Sequence, residues 1–171
     1  MVKVDAANGD IIRESPVTVI RARTMYPVSD PVVQKADAAL SQATEGAASI
    51  DANLFYMAIC GENTNNGAVK LCLLDAYKME IQKESTETVA EDSVLVNSGD
   101  SYYCIIQDGS NWVVGKYDKS LNLQLKSPVS VAPETPITVT PKGIIVTSKS
   151  GNITLLKTED LTSILDTTAA K

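Results

Sequence analysis

Residues 101–118 read SYYCIIQDGSNWVVGKYD, and this stretch decides the fold. Two runs rich in Tyr, Ile and Val flank the turn Asp108-Gly109-Ser110-Asn111, whose glycine supplies the backbone freedom a tight hairpin needs. Moving outward, the same alternation continues from Ala68 to Asp160. The runs are VKLCLLD, MEIQKES, DSVLVNS, SYYCIIQ, NWVVGKYD, LQLKSP, PITVTP, GIIVTS and NITLLKTE. Asn97-Ser98-Gly99-Asp100, Pro141-Lys142-Gly143 and Ser150-Gly151-Asn152 supply further turns.

These runs recur at a fixed spacing. Asp75 corresponds to Asp118, 43 positions on; Ser85 to Ser127, 42 on; Lys116 to Lys157, 41 on. Four short strands in about 42 residues is the arithmetic of a β-propeller blade. The N-terminal segment joins the series: Val4-Asp5-Ala6 followed by Ile11–Ser15 mirrors Leu74-Asp75-Ala76 followed by Ile81–Ser85, at an offset of 70. The excess length lies between a strand expected in VTVIRARTM and its partner LFYMAIC.

That insertion, residues 30–53, is expected to be a helix. Asp30 or Ser29 caps it, Pro31 suits its first position, Gly46 stops it, and an Ala-rich face recurs at helical spacing. The expectation is therefore an all-β chain of antiparallel four-stranded propeller-type blades with one inserted α-helix. Residues 1–29 and 54–165 make up the repeat domain, as about three units plus one further strand. Residues 166–171 form a frayed tail.

The repeat resembles bacterial extracytoplasmic propellers of the PQQ-like and YVTN type, in which a strand ends in Asp, turns, and restarts as xLxLxxxSP. The run from GENTNNGAVKLCLLD to SYYCIIQDG, with the KES ending and the later GKYDKSLNLQLKSPV, resembles the C-terminal region of the large antigen family of spirochaetes. The resemblance covers residues 1–29 and 54–165. It implies a non-enzymatic, envelope-associated protein, extracytoplasmic in its parent, and brings no catalytic residues.

Composition excludes several alternatives. The chain has 171 residues, 44% hydrophobic and 21% charged, enough to bury a core. A net charge of −6 argues against nucleic-acid binding. No apolar run has the length of a membrane span or of a signal peptide. Histidine is absent, which removes imidazole general bases and the common catalytic triads. The three cysteines, Cys60, Cys72 and Cys104, show no CxxC spacing. With Cys72 expected opposite Tyr56, buried free thiols are favoured over a disulfide.

Each candidate site has a bland reading beside the functional one. Arg21 and Arg23 share one strand face and form a candidate anion contact, against ion pairing with Glu14 or the acidic repeats. Glu80, Glu84, Glu87, Glu91 and Asp92 lack calcium-loop spacing and read as a solvated edge beside Lys78 and Lys83. Trp112 reads as packing between sheets rather than as part of a quinone site. Asn152-Ile153-Thr154 matches the glycosylation triplet, which means little in a bacterial strand.

The insert carries the most functional weight, with Val32, Val33, Ala36 and Leu40 as candidate partner-binding residues. The expected role is an interaction or structural domain with no cofactor, metal or catalytic residue. It would bind a protein partner or a second copy, as a homo-oligomer, with the helix as recognition or oligomerisation element. The alternatives are a lobe of a quinone-dependent or hydrolytic propeller enzyme, and an engineered scaffold carrying a grafted helix.

Overall fold

The structure is a computed structural model that describes residues 2–17, 19–22, 24–29, 54–61 and 67–164. The expected helix at 30–53, with Val32, Val33, Ala36 and Leu40, lies outside the described residues, as do Arg23 and the tail at 166–171. Among the described residues thirteen strands form four antiparallel sheets. A hairpin pairs β1 (Val2–Val4) with β2 (Ile11–Glu14). A four-stranded meander follows: β3 (Tyr26–Ser29), β4 (Leu54–Cys60), β5 (Lys70–Asp75) and β6 (Ile81–Glu84). A second meander holds β7 (Val96–Ser98), β8 (Ser101–Asp108), β9 (Asn111–Tyr117) and β10 (Leu123–Ser130). The last sheet has three strands, β11 (Thr138–Thr140), β12 (Gly143–Thr147) and β13 (Ile153–Leu156).

The strand found in the VTVIRARTM region is shorter and later than its sequence suggests. It runs Tyr26–Ser29, and only an isolated bridge joins Ile20 to Cys60 upstream. The sheets also divide the repeat differently from the sequence phase, as two, four, four and three strands.

One turn recurs four times and gives the repeat its physical meaning. After β1, β5 and β13 the amides of Asp5, Asp75 and Lys157 donate to the carbonyls of Asp10, Glu80 and Thr162, at 2.8, 2.9 and 2.8 Å. After β9 the turn is one residue shorter, and the Asp118 amide donates to Asn122 at 3.1 Å. Lys157 thus occupies the place of Asp118, so the sequence correspondence of Lys116 with Lys157 slips by two positions.

Each turn holds one residue in the left-handed region: Gly9 (φ 80°), Met79 (60°), Leu121 (60°) and Leu161 (59°). A non-glycine residue there costs about 1–2 kcal/mol. Met79, Leu121 and Leu161 are all buried, and burying such a side chain is worth about 1.5–3 kcal/mol. Burial offsets the strain, so a hydrophobe stands where backbone geometry alone would choose glycine.

Strand alternation sorts the side chains into a stack. Phe55, Met57, Ile59, Leu71 and Leu73 of the first meander pack with Tyr102, Cys104, Ile106, Val113 and Tyr117 of the second. Tyr103, Ile105 and Val114 on the other face of the second meander pack with Ile144, Val146 and Leu156 of the last sheet. Ala58, Cys60, Cys72 and Leu74 form a third cluster with Val17 and Ile20, from the connection that follows the N-terminal hairpin. Both four-stranded sheets are thus covered on both faces, which is why KLCLLD and SYYCIIQ read as nearly continuous apolar runs.

Polar latches fasten neighbouring layers. At the end of β2, the Ser15 hydroxyl donates to the carbonyl of Met79, in the turn of the next sheet, at 2.5 Å, and accepts from the Val17 amide at 3.0 Å. Ser127 repeats this in β10, donating to Leu161 at 2.8 Å and accepting from Val129 at 3.1 Å. Two residues before Ser15 and before Ser85 stands a cation: Arg13 donates to the Lys78 carbonyl at 3.4 Å, and Lys83 to the Ser120 carbonyl.

Candidate functional site at three converging loops

Three repeat-equivalent loops run from the outer strand of one sheet to the first strand of the next. Each is tied down in the same way. The amides of Arg21, Ala90 and Ala132 donate to the carbonyls of Ile59, Ile105 and Thr147, at 2.8, 2.9 and 3.0 Å. Bridges at Ile20–Cys60, Val89–Ile106 and Val131–Ser148 sit one residue earlier in each. Ser93 and Thr135, at matching positions, accept the amides of Ile105 and Thr147 through their hydroxyls, at 2.8 and 2.6 Å.

The loops converge on a cleft of about 610 Å³, whose lining includes Arg21, Thr24, Tyr26, Glu91, Asp92 and Leu95. Its main electrostatic feature is the Arg21–Glu91 ion pair at 3.4 Å. Arg21 precedes β3 and lies close over Gly61, where a Cβ would collide with the guanidinium. Thr24 and Tyr26 both donate to the Leu95 carbonyl, at 3.1 and 3.3 Å. The Tyr26 ring meets Tyr102 edge to face, centroids 6.1 Å apart. Burial pushes the Tyr102 phenol above its ordinary pKa.

Sequence reasoning picked out Arg21 but missed its surroundings. The signal was present: Arg21–Thr24, Ala90–Ser93 and Ala132–Thr135 are the same four-residue step ending in a hydroxyl.

Of the flagged acidic stretch, Glu91 and Asp92 line this cleft; the remaining flagged residues lie elsewhere. Glu87 accepts the Tyr117 hydroxyl at 2.8 Å, and burial pushes that phenol well above its ordinary pKa. Trp112 packs half-buried on the cluster between the second meander and the last sheet. Cys72 faces Ala58 in the register rather than Tyr56, which puts it diagonal to Cys60. The Cys72 thiol donates to the Lys70 carbonyl at 3.5 Å, and the neighbouring Cys60 together with burial pushes Cys72 up. All three cysteines are free and buried. Among the described residues no three His, Cys, Asp or Glu side chains group as metal ligands, and no helix is long and apolar enough to cross a membrane.

The cleft sets an ion-paired arginine beside apolar walls that include Leu95 and Ile137. Thr24 and Ser93 spend their hydroxyls on backbone groups, and Glu91 is paired. Among the described residues, fold and site define an all-β protein of antiparallel meanders whose loops frame a cleft of mixed polar and apolar lining. The family model described as Borrelia P83/100 protein matches residues 49–137, just over half of the sequence, and the chain belongs to that spirochaete family. No curated protein and no solved structure matches it.

Proposed function

We propose that this chain is a non-enzymatic, propeller-type interaction domain of a spirochaete envelope protein, exposed outside the cytoplasm, with the segment 30–53 as its recognition element. One observation carries the reading. Ser29 and Leu54, the residues on either side of that segment, are register partners in β3 and β4. The whole insertion therefore leaves and re-enters the sheet at a single rung, on a meander buried on both faces. Rigid sheets presenting a long connection are the usual arrangement for binding loops. Family membership supports the spirochaete setting, and the lack of histidine with the pairing of Arg21 to Glu91 supports binding over catalysis.

The test replaces residues 31–50 by a short Gly-Ser bridge. The strand signal in circular dichroism should persist, while cross-linking to envelope proteins through Lys35 is lost with the segment and no other site takes over. Cross-links that persist through lysines of the sheets, at undiminished yield, would move recognition off the insert and sink the reading.

A further inference from the structure

The stack uses one apolar interface internally and leaves its two halves bare at the ends. Val4 holds the register position that Leu74, Tyr117 and Leu156 hold in the three later sheets, just before the shared turn. Those three are fully buried at 0%, whereas Val4 is 51% exposed. Val2 and Ile11 match Cys72 and Ile81, which sit in the cluster that Val17 and Ile20, in the connection after β2, complete on the N-terminal side of the first meander. Val2 and Ile11 are 53% and 59% exposed.

At the other end, Ile153 pairs with Thr147 as Val114 pairs with Ile105 and Leu71 with Ile59. Leu71 and Val114 are 0% exposed and pack forward onto the following sheet, but Ile153 is 76% exposed. Ile145 matches Met57 and Tyr103, which are buried, and it too is exposed.

We propose that the chain associates head to tail, the backward face of β1–β2 in one copy covering the forward face of β12–β13 in another. The same chain presents both halves of a contact it already makes between its own layers, with aliphatic side chains at the matching strand positions. A second copy is therefore the complement. Such a contact is heterologous: it closes into a ring if the rotation per copy permits and otherwise runs on as a filament. It does not involve the insertion, so it stands apart from the recognition role given to residues 30–53.

The test is sedimentation of the 171-residue chain over a concentration series. The wild-type average mass should climb to twice the monomer value or beyond. Val4→Asp and Ile153→Asp, both at exposed positions and checked for unchanged circular dichroism, should each be monomeric alone. Mixed in equal amounts they should form a dimer and nothing larger, because each keeps one intact end. Deleting residues 31–50 should leave the assembly in place. A wild-type chain that stays monomeric overturns the proposal, and so do single variants that still self-associate or a mixture that does not pair.

Discussion

Asp118 shows how much one side chain does in the repeated turn. Its carboxylate accepts the amides of Ser120 and Asn122, both at 2.9 Å, and the side-chain amides of Asn122 at 2.9 Å and Gln124 at 3.0 Å. Partial burial works to raise its pKa, but the Asn122 and Ser120 donors and the nearby Lys83 charge outweigh that and hold it below the ordinary carboxylate value. A depressed folded-state pKa stabilises the fold above the unfolded value, near pH 4, and the contribution fades as pH falls through the folded value. Asp118→Asn should therefore flatten the acid side of the stability–pH curve, read from urea midpoints between about pH 2 and 5. A slope equal to wild type would show that the carboxylate contributes nothing to acid unfolding. Asp5 and Asp75 cap their turns alike, each accepting an amide two residues on at 2.8 Å, whereas the fourth turn has Lys157 at that position and borrows Asp160, which accepts Thr162 at 2.9 Å.

At the scale of elements, the strands were legible and their grouping was not. All nine runs named from Ala68 onward contain an observed strand, because each is short, β-branched or aromatic, and bounded by turn residues. The Asp108–Asn111 hairpin is a two-residue loop as its composition requires, with Gly109 at φ 60°. The strand before the insertion misled because a period-two pattern continues through VTVIRARTM, while among the described residues there only the Ile20–Cys60 bridge forms before pairing from Tyr26. The three-loop cleft escaped notice because it is made by residues about 42 and 69 positions apart whose likeness in side-chain type is a single hydroxyl, the rest being in backbone hydrogen bonding. The latches join elements in the same hidden way. Ser127→Ala strips a donor from the Leu161 carbonyl and an acceptor from the Val129 amide inside a buried site. It should lower stability by about 1–3 kcal/mol, measured by urea denaturation. Full wild-type stability would mean that the layers hold by apolar packing alone.

For the molecule as a whole, layers that touch only their neighbours make stability nearly one-dimensional, highest in the middle and lowest at uncapped ends. The second meander is covered by clusters on both faces, whereas the two-stranded hairpin at the N-terminus exposes Val2, Val4 and Ile11. At concentrations where the chain is monomeric, native-state hydrogen exchange should therefore find the slowest amides in β8 and β9 and the fastest strand amides in β1 and β2. Uniform protection across the strands would contradict the layered account. At this scale the sequence carried the period but not the phase. A repeat reads the same from any starting point, and only the hydrogen-bond register tells which strands share a sheet.

The single rung joining Ser29 to Leu54 has a consequence for how such a chain can change over generations. Closing a loop costs free energy only as the logarithm of its length, about 0.6 kcal/mol per doubling. With both ends already fixed by a neighbouring pair of strands, residues can be added, lost or exchanged between them while the layers beneath keep their register. Selection acting on the segment between them and selection acting on the folded stack are thereby uncoupled, so that segment can drift at a rate the scaffold does not set.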